Sequence, residues 1–229
     1  MYDHWRSEFY PTELPKAKWF SFYCQHFSTV ELNSSFYHLP SEKAFGTWRD
    51  KSPEQFIYAV KVSRFITHLK KLRDVEEPLE TFLSRARTLR HKLGPLLYQL
   101  PPSMKRDDAV LGAFLKLLPQ DLCHVFEFRN ESWFDDQVYN LLREHNIGFC
   151  IYDLPGTTTP LVATAEFAYI RFHGSTGLYD SCYVDSELES WAEKITRLGK
   201  GLSAVYVYFN NDSHAFAIRN AKRLRELLA

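Results

Sequence analysis

The chain has 229 residues, with 28 Lys and Arg balancing 28 Asp and Glu and a pI of about 7.1. That balance excludes a global basic field able to hold nucleic acid or an anionic membrane without specificity. No apolar run reaches the roughly 18 residues of a membrane span, and the length suits one large core, so a single domain over residues 1–229 is expected.

The segment Pro15 to His26 reads as helix and leads into a strand from Phe27 to Asn33. Ser41 can N-cap the next helix, which runs towards Lys51. Phe56 to Lys61 is a strand, and Glu77 to His91 is a helix rich in Arg and Leu. Across Gly94-Pro95 comes the strand Leu96 to Leu100, stopped by Pro101-Pro102. Ala109 to Leu118 is helical and His124 to Arg129 is a strand. Ser132 with Asp135 resembles a capping pair for a helix from Asp135 to His145. Ile147 to Asp153, Phe167 to His173 and Ser203 to Phe209 are the last strands. The helix Ser186 to Leu198, with its own Ser-x-x-Glu cap, separates the final two, and Ala215 to Leu228 closes the chain as an amphipathic helix.

Strand and helix periods that alternate across short connections define an α/β chain with a parallel sheet. Seven strands are recognisable, one short of a closed TIM-type (β/α) barrel, and the chain opens on a loop and helix where a first strand is expected. The missing strand leaves open edges on its neighbours, which a homodimer or an incomplete reading frame would explain. Cys24, Cys123, Cys150 and Cys182 form no Cys-x-x-Cys pair, so free thiols in a reducing cytosol are expected. The opening Met-Tyr-Asp-His-Trp-Arg carries no apolar signal segment, which fits a soluble cytoplasmic protein.

Several strands end in polar residues spaced two apart, such as Glu31 with Asn33, Glu127 with Arg129, and Arg171 with His173. Strand side chains alternate faces, so each pair points to one side. Glu31, Glu127 and His173 are the catalytic candidates, because paired carboxylates and an imidazole can exchange protons near neutral pH. Asn33, Lys61, Thr67, His68, Gln99, Arg129, Asp153, Arg171, Asn210 and Asn211 are the candidates for substrate binding. Lys61 to Arg73 holds no acid before Asp74, which gives a locally positive loop where Lys61 is the contact for phosphate or carboxylate. Lys70, Lys71 and Arg73 are read as solvated surface.

Ser28-Thr29-Val30-Glu31-Leu32-Asn33-Ser34-Ser35-Phe36-Tyr37, Tyr98-Gln99-Leu100-Pro101-Pro102, Glu127-Phe128-Arg129-Asn130-Glu131-Ser132-Trp133 and Tyr208-Phe209-Asn210-Asn211-Asp212 together resemble the YecE-like family, a group of unknown function. The resemblance spans nearly the whole chain and implies a TIM-type barrel without implying an activity. Two departures stand out: the family's opening Gly-Thr-Ser-Gly-Trp-like strand is absent, and Asn130 stands where His is common.

Three functions fit these readings. The first is an enzyme binding a small anionic or polyhydroxylated ligand at the strand C-termini. The second is a metal-dependent phosphodiesterase on nucleic acid, drawing on Glu31, His68, Glu127, Asp153, His173 and His214. It is not favoured, since Lys61, Arg129 and Arg171 would repel cations, and no metal ligand set is assigned. The third is a noncatalytic binding or assembly protein. The cofactor is left open.

Overall fold

In the computed structural model, which describes residues 2–229, seven strands that pair in parallel alternate with helices along the chain. This is the α/β class of a TIM-type (β/α) barrel, as the alternation of periods predicts. Two compact units are distinguished, one of Tyr23–Gly148 and one of the residues up to Phe22 with Phe149–Ala229. No helix among the described residues is long and apolar enough to cross a membrane.

In the Tyr23–Gly148 unit the sheet order follows the chain: β1 (Thr29–Leu32), β2 (Ile57–Lys61), β3 (Leu93–Gln99) and β4 (His124–Glu127). The connecting helices are α2 (Ser34–Tyr37), α3 (Glu42–Lys51), α4 (Glu76–Ala86) and α5 (Asp108–Leu115), with α1 (Trp19–His26) before β1 and α6 (Asp136–Glu144) after β4. Aromatic side chains fill the helix side of this sheet. Tyr98 and Phe126 stack at 5.0 Å, and Phe114 of α5 meets them edge-on at 5.5 and 6.0 Å. Burying rings of this size supplies both area and preferred geometry.

Local chemistry sets the helix starts. Ser41 Oγ accepts from the Ala44 amide at 3.2 Å, as its sequence position suggests. At α6 the cap is Asp135, which accepts from Gln137 N, whereas Ser132 is engaged in a short turn. Ser132 accepts from Arg106 N and donates to Asn130 Oδ1, and these bonds remove it from capping. The helix expected over Glu77 to His91 is α-helical only through Ala86 and then tightens into 3-10 turns to Lys92. A positive φ of 56° at Arg90 ends the regular pattern.

Lys92 is 4% exposed, and its Nζ donates to Arg49 O at 2.7 Å, Ser52 O at 2.9 Å and Ser52 Oγ at 3.2 Å. The ammonium therefore satisfies the carbonyls that end α3, where a cation also complements the helix dipole. Lys92→Met keeps the stem but strands Ser52 O, and we expect it to cost about 1–3 kcal/mol. Urea unfolding of the two proteins checks this; an unchanged midpoint would show that the carbonyl finds another donor.

The second unit holds β5 (Gly148–Leu154) from Phe149 onward, the two-residue β6 (Thr157–Thr158), β7 (Phe167–Phe172) and β8 (Ala204–Phe209), with α7 (Asp185–Leu198) and α8 (Phe216–Leu227). β5, β7 and β8 pair in parallel in that order, while β6 folds back antiparallel on β5. The hairpin strand β6 is an addition to the elements read from sequence. Helix α7 begins one residue before Ser186, and only Glu187 caps it, its Oε2 accepting from Val184 N at 2.8 Å. Ahead of α1, Trp5 donates its indole N–H to Asp212 O at 2.9 Å, and Tyr10 stacks on Trp19 at 4.5 Å. All four cysteines are free thiols, and burial pushes Cys24 up to about 11.

Candidate functional site

Register decides which strand-end groups of the Tyr23–Gly148 unit share a face. Glu31 is opposite Ala59, two residues before Lys61. Lys61 is opposite Leu97, two before Gln99, and Gln99 is opposite Glu127. Glu31, Lys61, Gln99 and Glu127 thus leave the same side of four consecutive parallel strands near their C-terminal ends. The adjoining residues continue the pattern: Asn33 Nδ2 donates to Glu31 Oε1 at 3.0 Å, and Arg129 Nε donates to Glu127 Oε1. Glu127 is fully buried and the Arg129 side chain is 13% exposed. Asn33 Oδ1 is enclosed and hydrogen-bonds to no described residue.

A short π-helical turn, Phe65–Leu69, follows β2, and such turns are frequent at functional sites. Lys71, Leu72 and Asp74 carry positive φ just beyond it, concentrating backbone strain in one connection. The turn buries Thr67 and presents its hydroxyl to His68 Nδ1 at 2.9 Å. Burial, with Lys61 and Arg64 nearby, pushes the His68 imidazole down to about 4, so it is neutral at pH 7. Its ring meets Phe36 edge-on at 4.9 Å, and the Lys61 ammonium lies 4.3 Å from the same ring's centroid. Ser35 and Phe36 lie in the Ser28 to Tyr37 motif but are not among the site candidates read from sequence. Ser35 Oγ donates to Leu32 O at 3.0 Å or Lys61 O at 2.7 Å, tying the ends of β1 and β2 together. Lys70, Lys71 and Arg73 are exposed, and Arg73 pairs with Asp107.

The other unit carries a second group of the same design. Tyr152, Arg171 and Tyr208 lie in register on β5, β7 and β8, which puts His173 and Asn210, each two residues on, on the face of Arg171. Arg171 is 3% exposed and its Nη2 donates to Asn210 Oδ1 at 3.4 Å, while Asn210 Nδ2 is enclosed and bonds to no described residue. Gly174 directly after His173 has φ +104°, and a Cβ there would meet Gly177 O at 2.2 Å, so only glycine lets the chain turn at this point.

Two candidates stand apart from that group. Asp153 is in register with Phe172 and therefore points to the opposite face, where Thr158 Oγ1 and Tyr183 Oη donate to it at 2.5 and 2.8 Å. Asn211 is fully buried, and its Nδ2 donates to Ser181 O at 2.8 Å and Asn220 Oδ1 at 2.9 Å, which fixes the loop after β8. His214 is exposed, with φ 50°. Among the described residues no three His, Cys, Asp or Glu side chains gather as a metal ion would require.

Parallel strands with polar side chains collected at their C-terminal ends are the working layout of α/β barrel proteins. The chain belongs to the family described as "Protein of unknown function DUF72", which matches residues 1–229. It is 28% identical to the UPF0759 protein YunF of Bacillus subtilis strain 168 over 252 aligned residues, covering 96% of this chain and 89% of YunF. It is 30% identical to the UPF0759 protein YecE of Escherichia coli K12 over 202 residues, 76% of this chain and 73% of YecE. A crystal structure of a DUF72 family protein from Thermotoga maritima is similar with a TM-score of 0.87 and 29% identity, covering 99% of this chain and 95% of that one. A DUF72 protein from Enterococcus faecalis, at 23% identity and a TM-score of 0.82 over 90% of this chain and 86% of that one, shares the fold.

Proposed function

We propose that this DUF72 chain is an enzyme that binds a small anionic or polyhydroxylated molecule at the strand ends of its Tyr23–Gly148 unit. The reading rests on the shared face of Glu31, Lys61, Gln99 and Glu127. Lys61 supplies the point charge for a phosphate or carboxylate, and the Phe36 ring beneath its ammonium limits where that charge can go. Gln99 and the enclosed Asn33 Oδ1 orient the ligand; a buried acceptor left unbonded costs free energy that a ligand hydroxyl or amine recovers. Glu31 and Glu127 are the proton-handling groups, and neutral His68 is a hydrogen-bonding partner that carries no competing charge. Arg171, with Asn210 beside it, is proposed as an orienting group and His173 as a proton carrier in the second unit.

A thermal-shift screen with inorganic phosphate, sugar phosphates and sugar acids tests the reading. A ligand at about a hundred times its Kd adds roughly 2.7 kcal/mol, or about 5–10 °C in a chain of this size. Lys61→Met is expected to abolish the response to every anionic hit. A response that survives intact in Lys61→Met moves the binding elsewhere.

A further inference from the structure

Asp153 faces away from Arg171 and His173, towards a cavity of about 480 Å³ lined by the β5–β6 hairpin and α7. Asp153 is 9% exposed as a residue, and no described Lys, Arg or His pairs with it. A buried charge without a counterion is costly. Two hydroxyl donors, from Thr158 and Tyr183, answer about half of the four or so hydrogen bonds a carboxylate can accept. On the opposite wall Ser186, Ser190 and Lys194 are spaced four apart and so occupy one stripe of α7. Trp191 adds an aromatic surface, with Lys194 Nζ 4.7 Å from its ring.

The lining selects a ligand class by exclusion. Asp153 and Glu187 together repel an anion, and Lys194 repels a metal cation. What remains attractive is a neutral molecule that offers both donors and acceptors and has C–H faces to set against an aromatic ring. We propose that this cavity binds a neutral monosaccharide or polyol, whose hydroxyls donate to Asp153 and accept from Lys194, Ser186 and Ser190. It is a second site, independent of Lys61 and its neighbours.

Saturation-transfer NMR on the full chain with glucose, xylose and glycerol, followed by titration of the strongest responder, tests it. Transfer is expected for at least one of the three. Ser190→Phe, which fills the cavity from an exposed position, should abolish it, and Asp153→Asn should weaken binding about tenfold or more. Lys61→Met should leave it unchanged, which separates this site from the anion site. The proposal is overturned if none of the probes shows transfer, if Ser190→Phe leaves transfer intact, if Lys61→Met removes it, or if calcium chloride displaces the sugar.

Discussion

Glu127→Ala is expected to lower stability by about 3 kcal/mol, or roughly 6–12 °C in melting temperature. The cause is a buried ion pair broken from one side. Glu127 is fully buried and its carboxylate takes the Arg129 Nε–H, while the Arg129 side chain keeps only 13% of its exposure. Removing the acid takes one partner from a guanidinium that little water reaches, and breaking a buried pair from one side costs more than the pair contributes. The double variant Glu127→Leu with Arg129→Met removes both charges at similar volume, so it should recover at least half of the loss. Urea or thermal unfolding of the single and double variants gives the comparison. Equal destabilisation in the two would show that packing, not the broken ion pair, sets the cost.

That pair was legible because two-residue spacing on a strand is enough to place side chains on one face. The same rule gathered Glu31 with Asn33 and Arg171 with His173, and in the first of these Asn33 Nδ2 reaches Glu31 Oε1. Asp153 escaped the rule for a physical reason. Gly148 through Asp153 is buried on both faces of β5, as central parallel strands are, so the sequence there has no polar alternation to say which way any one residue points. The π-helical turn at Phe65–Leu69 was illegible because one short turn of i to i+5 bonding leaves no repeating pattern. Capping failed where two acceptors competed: Ser132 and Asp135 could each start α6, and the long-range bond from Arg106 N to Ser132 settled the matter.

The largest pH effect should fall between pH 6.5 and 4, and two histidines cause it. Burial pushes His124 down to about 4; at 2% exposure its Nδ1 lies 3.2 Å from Tyr98 Oη and its Nε2 lies 3.0 Å from Pro119 O. Burial, Lys61 and Arg64 push His68 to about the same value. In the unfolded chain both titrate near 6.5. As the pH falls through that range the unfolded state takes up protons that the folded state refuses, so stability is present above 6.5 and is lost progressively towards 4. From pH 7 to 5 the loss is about 1–2 kcal/mol per histidine, with half-buried His68 at the lower end. The carboxylates held low by arginine, Asp108 and Asp121, act in a different window, because their support is lost only as the pH falls below the ordinary carboxylate value of 3.8. Melting curves at pH 7 and pH 5 for the wild type, His68→Gln and His124→Gln should show each variant losing part of the acid sensitivity. Lys61→Met should also blunt it, since removing the ammonium eases protonation of His68; an acid slope identical in all four proteins would refute the assignment to these two side chains.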